Sequence, residues 1–450
     1  MSSHARARLL TSLCTGRNVT TMRILVLALI IPTALQAQAS AVTSLRQEIE
    51  RRANEIQPKV VAWRRDIHQH PELSFQETRT AALVAEHLRK LGLEVQTGVG
   101  GNGVVGILRG GRPGPVVALR ADMDALPVTE QVDLPFKSTV RAQYRGQEVG
   151  VMHACGHDNH VAILMGTAEV LTAMKSRLPG TVKFLFQPAE ESGTTGGAGP
   201  MIDAGALDNP KVDAVFGLHV GPGPLGQITY KSGPAMASSD GFRIVVHGKQ
   251  THGAMPYAGV DPIVVGSQIV LALQTIVSRQ VNLSAAPAIL TVGAFNGGNR
   301  ENIIPDSAVL IGTIRTFDEN VRNEIHERLK RTAESIAASA GATADVRVDL
   351  GYPVTVNDPA LATRMLPTLQ RAAGANMVAT TVGSTASEDF SRFAQKAPGL
   401  FVFLGVTSPS QDWRTAASNH SPLFQADEDA LPVGVKVMSE LAVDYLSGGK

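Results

Sequence analysis

Three short apolar runs in this chain each break off into ionisable residues, and that repeated junction constrains the fold more than any other feature. PVVALRADMDALP (115–127) begins as a β-like run and then delivers Asp122 and Asp124. GTVKFLFQPAEE (180–191) ends on Glu190 and Glu191, and VDAVFGLHV (212–220) delivers His219. GLFVFLGV (399–406) reads as a fourth buried strand. Between them lie helical patterns such as HVAILMGTAEVLTAMKS (160–176), with Asp158 as the expected N-cap. Strands alternating with helices predict an α/β fold, a mostly parallel sheet with helices on both faces. In such sheets ligands bind beyond the carboxyl ends of the strands, which is where these acids and histidines fall.

From about residue 236 the pattern changes. SSDGFRIVVHG reads as a strand, and DPIVVGSQIVLALQTIVSRQ (261–280) as a helix with Asp261 at the N-cap and Pro262 in the first turn. AILTVGAFNGG and SAVLIGTIRTF read as two strands, 319–340 as a helix and ATADVRVDLGY as a strand. The order β-α-β-β-α-β is that of a ferredoxin-like α+β unit. Because the first pattern resumes after residue 352, this unit is expected to be an insertion, a lid over a cleft. The expected divisions are a leader and signal peptide over 1–39, a catalytic domain over 40–235 and 351–450, and an inserted lid or dimerisation domain over 236–350.

The leader decides how the cysteines are read. MRILVLALIIPTALQAQAS, from Met22, has an arginine, an apolar run and then Ala37-Gln38-Ala39, the form of a secretory signal with cleavage after Ala39. The run is too short for a permanent membrane span, and the chain is expected in the periplasm or outside the cell. Translation from Met1 would make the first 21 residues an extended leader, and translation from Met22 would omit them. Of the two cysteines, Cys14 leaves with the leader, so no intramolecular disulfide can form. A lone thiol in an oxidising compartment is either inert core or bonded to something. In VMHACGHDNH (151–160) the neighbours of Cys155 are poor core company, and Cys-x-His spacing suits two metal ligands. A papain-like nucleophile is the rival, but its histidine normally comes from elsewhere in the chain.

Residues 152–158, 186–191 and 217–220 together supply thiolate, imidazole and carboxylate, the donor set for zinc or another late divalent metal. Neither HExxH nor a CxxC pair is present, and more than four donors point past a single tetrahedral ion. With 41 basic against 40 acidic side chains, no broad field points to nucleic acid or an anionic membrane. The glycine-rich SGTTGGAGP (192–200) lacks the Gly-Lys-Ser/Thr ending of a phosphate loop.

These motifs, with WRRDIHQHPELSFQE (63–77), THGAMP, ENIIPDSA, SEDFSRF and NHSPLF (419–424), resemble the M20 metallopeptidase family. The similarity is to its amidohydrolase branch, which includes N-acyl-amino-acid amidohydrolases, hippurate hydrolase and plant auxin-conjugate hydrolases. The resemblance implies that Cys155, His157, Glu191, His219 and His420 hold two divalent ions per subunit, zinc or manganese, with cobalt or nickel as alternatives. It implies that Glu190 is the general base, that Asp124 orients a ligand and that His252 on the lid stabilises the oxyanion, often across a dimer interface. Asn302 and Arg315 would bind the substrate's carboxylate. Asp122 stands where other branches carry a ligand histidine and is not expected to ligate here. His68 and His70 are expected to orient structure, and His153 and His160 to bond locally. Tyr257 falls where relatives commonly have histidine, and the loop after Glu191 is longer than usual, so both bear on substrate choice.

The expected activity is metal-dependent hydrolysis of the amide of N-acyl amino acids or similar conjugates, giving a carboxylic acid and an amino acid. A dipeptidase or carboxypeptidase would use the same chemistry. Two further classes are a non-catalytic metal- or peptide-binding protein on this scaffold and thiol catalysis by Cys155.

Overall fold

The computed structural model describes residues 21–193, 195–374 and 378–448. They fall into two compact units, one ending at Gln47 and one beginning at Glu48. The expected leader up to Thr20, with Cys14, lies outside the described residues. The segment from Met22 to Ala39 lies within the first helix, α1 (Thr21–Gln69).

Along the second unit the chain forms α2 (Thr78–Lys90), β1 (Glu94–Val99), β2 (Gly103–Arg109), β3 (Arg112–Asp122) and the hairpin of β4 (Arg141–Tyr144) and β5 (Gln147–Gly150). There follow α3 (His157–Ala173), β6 (Pro179–Gln187), α4 (Ala198–Asp203), β7 (Ala214–Pro224), β8 (Ile228–Tyr230) and β9 (Gly233–Met236). Next come β10 (Asp240–His247), β11 (Thr251–His252), α5 (Pro262–Thr275), β12 (Ala288–Gly297), β13 (Ile303–Ile304), β14 (Ser307–Thr316), α6 (Glu319–Ser339) and β15 (Thr343–Leu350). The chain closes with β16 (Thr355–Asn357), α7 (Pro359–Ala373), β17 (Val378–Thr380), α8 (Phe390–Ala394), β18 (Gly399–Thr407) and α9 (Leu431–Leu446).

The central sheet has the order β1-β2-β6-β3-β7-β18-β8-β17. Its middle strands β6, β3, β7 and β18 run parallel, whereas β1 and β2 add an antiparallel edge and β8 runs against β18. The middle strands are buried nearly throughout, which is why they read as continuous apolar runs rather than alternating ones. One face packs Ala118, Leu185, Val215 and Phe401 against Met201 of α4 and Phe390 and Phe393 of α8. On β3 the alternation turns Val117 and Leu119 the other way, and α3 and α9 pack on that strand.

A second, all-antiparallel sheet has the order β12-β14-β10-β15. Helices α5 and α6 cover it through Val265, Ile269, Leu273, Ile325 and Leu329. Each crossover returns beside a strand it skipped, which is the split β-α-β arrangement. Asp261 caps α5, accepting the N–H groups of Ile263 and Val264 at 2.9 and 3.3 Å, ahead of Pro262. Pro262–Gln280 is long and apolar enough to cross a bilayer, but Ile269, Leu273 and Ile276 are spent on this core.

One local expectation is corrected. Helix α3 begins at His157, not after Asp158, and its N-cap is Gly156 in the left-handed region at φ +89°. A β-carbon on Gly156 would lie 2.4 Å from Val220 Cγ2, so β7 packs too closely for a capping side chain. Asp158 sits in the first turn instead, with one oxygen taken by Arg64 and His68 at 2.8 and 2.9 Å.

Candidate metal centre

Strands β3, β6 and β7 end on the same edge of the sheet, and each hands a functional segment to it. Past β3, Asp124 is fully buried. Past β6, Ala189 takes a left-handed φ of +57° and donates its N–H to Glu77 at 2.8 Å, turning the chain so that Glu190–Ser192 forms a single 3-10 turn. The Asp124 carboxylate clamps that turn. Its Oδ1 accepts the N–H of Glu190 at 3.0 Å, and its Oδ2 accepts the N–H of Glu191 at 2.9 Å and the hydroxyl of Ser74 at 2.5 Å.

The imidazoles are oriented one by one. His157 donates Nδ1–H to the Asp124 carbonyl at 2.8 Å, which leaves Nε2 buried without a partner. His219 donates Nδ1–H to the Val220 carbonyl at 2.7 Å, and its Nε2 lies 3.4 Å from Cys155 Sγ. A carbonyl can only accept, so Nδ1 of each ring carries a hydrogen and Nε2 is the nitrogen left to face the site. His420 sits at φ +71°, held by its N–H to the Ala154 carbonyl at 2.8 Å. Its Nε2 is 3.0 Å from Glu191 Oε1, an ion pair that raises the ring above its ordinary value. Backbone strain of this kind costs on the order of 1–3 kcal/mol and marks a position fixed for its side chain.

The donor atoms thus form two cradles that share one sulfur. Cys155, His157 and His219 make one, and Cys155, Glu191 and His420 make the other, with the donors of each within 4.8 Å of one another. A buried His157 Nε2 without a partner, beside a thiol, a carboxylate and two further imidazoles, is what a borderline-soft divalent cation satisfies, so these residues fit such ions. In His157 and His219 the second ring nitrogen is pinned by a carbonyl, as is usual for metal-binding histidines.

Charge points the same way. Burial, and then Glu388, Glu191, Asp389 and Asp124, push the Glu190 carboxyl well above its ordinary range. Burial and the neighbouring acids also push the Cys155 thiol well up. Burial works against a charge on His157, but Asp122, Asp124 and Glu191 outweigh it and raise the ring to about 10. A proton on His157 supplies positive charge among these acids; a divalent ion held here would supply it instead and would favour the thiolate of Cys155. Burial holds His219 well below its usual value and therefore neutral.

Residues not singled out from the sequence surround this core. Buried Arg120 donates to Asp122 at 2.5 Å, to Gln187 at 2.8 Å and to Glu388 and Asp389 at 2.9 Å each. Tyr352 donates its hydroxyl to the Glu190 carbonyl. Arg120 and Asp122 are two apart on β3 and so share a face, a signal available in the sequence. His160 bonds locally, donating Nδ1–H to Asp122 at 2.5 Å and accepting the Val220 N–H at 2.8 Å. His153 is buried with no partner for either nitrogen among the described residues. His68 bridges Asp158 and Glu130 at 2.9 and 3.2 Å, an orienting role.

A cavity of about 520 Å³ opens over the centre, lined by Cys155, Glu190, Glu191, His219 and His420 together with Arg315, Tyr352 and Glu388. Arg315 Nη1 donates to Ser387 at 3.1 Å. His252 and Asn302 are not brought to this cavity. His252 is exposed on β11, opposite Ile303 of β13, with Nδ1 accepting the Ala254 N–H at 3.0 Å. Asn302 is exposed beside it, its carbonyl accepting the Gly253 N–H at 2.8 Å.

Comparison with known proteins agrees with this geometry. Residues 118–444 match the sequence model of peptidase family M20/M25/M40. Thermostable carboxypeptidase 1 of Saccharolobus solfataricus is 44% identical over 404 residues, covering 89% of this chain and 99% of that protein. N-acetyl-L-cysteine deacetylase of Bacillus subtilis is 41% identical over 377 residues, covering 84% and 85%. Among solved structures, the Bacillus subtilis YXEP protein, a dinuclear metal binding peptidase, superposes with a TM-score of 0.73 at 37% identity, covering 87% of this chain and 99% of that one.

Proposed function

The chain belongs to peptidase family M20/M25/M40, and on that premise we propose that it is a divalent-metal-dependent amidohydrolase that splits N-acyl amino acids or similar conjugates into a carboxylic acid and an amino acid. Cys155, His157, Glu191, His219 and His420 would hold two ions per subunit, zinc or manganese. Bound there, such ions supply Lewis acidity that polarises the scissile carbonyl and acidifies water. Glu190 takes the proton from the attacking water and delivers it to the leaving nitrogen. A glutamate that ligates loses basicity to the cation, which is why the pair divides the work between Glu190 and Glu191. Asp124 keeps both glutamates and His157 in place, and Arg315 grips the substrate carboxylate.

His252 and Asn302 lie off the cavity of their own chain, which supports action at the site of a second subunit in a homodimer formed through the lid. The edge strand β12 exposes Ile289 and Phe295, and α5 exposes Leu271, an apolar surface suited to that contact. Residues up to Ala39 would be removed on export to the periplasm or beyond.

The observation that carries this reading is the pair of cradles sharing Cys155 beside Glu190. Likeness to a carboxypeptidase supports a second reading, exopeptidase action on small peptides by the same chemistry. Rates on N-acetyl, N-benzoyl and indole-acyl amino acids measured beside dipeptides separate the two. Faster turnover of the acyl amino acids is expected, and a preference for free peptides would select the second reading.

A further inference from the structure

A second cavity, of about 260 Å³, adjoins the catalytic one, and the two share Gly221, Ser384, Phe403 and Asn419 in their walls. The shared wall is next to the metal centre: Gly221 follows His219 by two residues on β7, and Asn419 precedes His420. Asn419 is fixed by donating to the carbonyls of Cys155 and Val220 at 2.9 and 3.1 Å. A β-carbon on Gly221 would lie 3.2 Å from Asn419 Oδ1, so glycine keeps this doorway open. Glu190, Glu388 and Arg315 line only the catalytic cavity.

The reaction gives the two cavities direction. Glu190 must reach the leaving nitrogen, and Arg315 the carboxylate attached to it, so the amino-acid half of the substrate occupies the Glu190 side. The acyl half leaves the scissile carbonyl the other way, through the Gly221 and Asn419 doorway. We propose that the side cavity is the acyl pocket and that it selects a flat aromatic or four- to six-carbon acyl group over acetyl. This rests on the amidohydrolase reading above and deepens it.

Size and lining both favour that class. An apolar cavity of roughly 150 Å³ is enough to hold benzene, and this one is larger. Phe403 supplies an apolar wall, Val382 stands at the rim with 84% of its surface exposed, and Thr229 and Gln227 add polar edges. Lys231 lies at the edge of the lining, where its ammonium donates to the Pro234 carbonyl at 2.5 Å. An acetyl group would leave most of this space unfilled and forfeit its dispersion contacts.

The test uses the full-length metal-loaded protein and two variants away from the catalytic machinery, Thr229→Phe, which fills the pocket, and Val382→Trp, which narrows its mouth. For one amino acid carrying acetyl, hexanoyl or benzoyl, kcat/KM is measured for each protein. The wild type is expected to favour benzoyl and hexanoyl over acetyl by about tenfold or more, the scale on which an apolar pocket discriminates. Each variant is expected to lose about tenfold on the long and aromatic substrates while acetyl changes less than about twofold. Should Thr229→Phe misfold, the exposed Val382→Trp still decides the matter. Equal losses on all three substrates, or an unchanged ratio, would overturn the acyl-pocket assignment and leave the amidohydrolase reading standing. No turnover of any N-acyl amino acid by the wild type would overturn both.

Discussion

The sulfur of Cys155 lies 3.4 Å from Nε2 of His219, although 64 residues separate them, and the other ring nitrogen of His219 is spent on the Val220 carbonyl. A thiol and an imidazole nitrogen that close are spaced to share one ion. Cys155→Ala removes the donor common to both cradles. Metal analysis of the purified variant is expected to give less than half the wild-type metal per chain, with activity down by at least about a hundredfold. Full metal content would make Cys155 inert core.

In the proposed mechanism Glu190 moves protons while Glu191 holds an ion. Glu190→Ala is therefore expected to keep its metal while kcat falls by about 10²–10⁴, the usual worth of general acid–base catalysis. Unchanged turnover would remove this residue from the mechanism.

Asp124 bonds the N–H groups of Glu190 and Glu191 with separate oxygens and also fixes His157. In Asp124→Asn the amide nitrogen cannot accept, so one N–H loses its partner and the turn loosens. The expected result is about 10–100-fold weaker metal binding by competitive chelator titration, together with a lower kcat. Metal affinity equal to wild type would confine Asp124 to packing.

At the cavity wall, burial alone would raise the Asp240 carboxyl, but Arg322, His326 and the Gly351 N–H together hold it at about 2. A carboxyl lowered in the folded state stabilises it above the unfolded value near 3.8, and that contribution fades as pH falls from there towards 2. Asp240→Asn is expected to cost on the order of 2 kcal/mol at pH 7 by urea unfolding, with the gap to wild type closing below pH 4. A gap that is constant with pH would contradict this.

Much of this arrangement was legible in the sequence because it lies at strand ends. The runs before Asp122, Glu190 and His219 are buried on both faces, and such strands announce themselves by continuous apolar residues. The lid showed through the ordinary alternation of β10 and β14 and the Asp-Pro start of α5. What stayed hidden depends on tertiary geometry. Asp158 has the right chemistry for a cap, but the close approach of Val220 gives that position to Gly156. The short strands β8 and β17 carry too few residues to show a period. Arg120 reads as one polar residue in an apolar strand, and only the fold brings Glu388 and Asp389 to it from 268 and 269 residues away. The positions of His252 and Asn302 off the cavity were equally beyond the motifs that contain them.

Side chains that hold catalytic divalent ions make activity depend on those ions, and chelation removes them. Protein dialysed against a strong chelator, assayed on an N-acyl amino acid and then titrated with zinc or manganese, is expected to lose its activity completely and to regain it as two ions per chain are restored. Full activity in the metal-free protein, abolished instead by alkylating Cys155, would contradict the account and make the thiol the nucleophile.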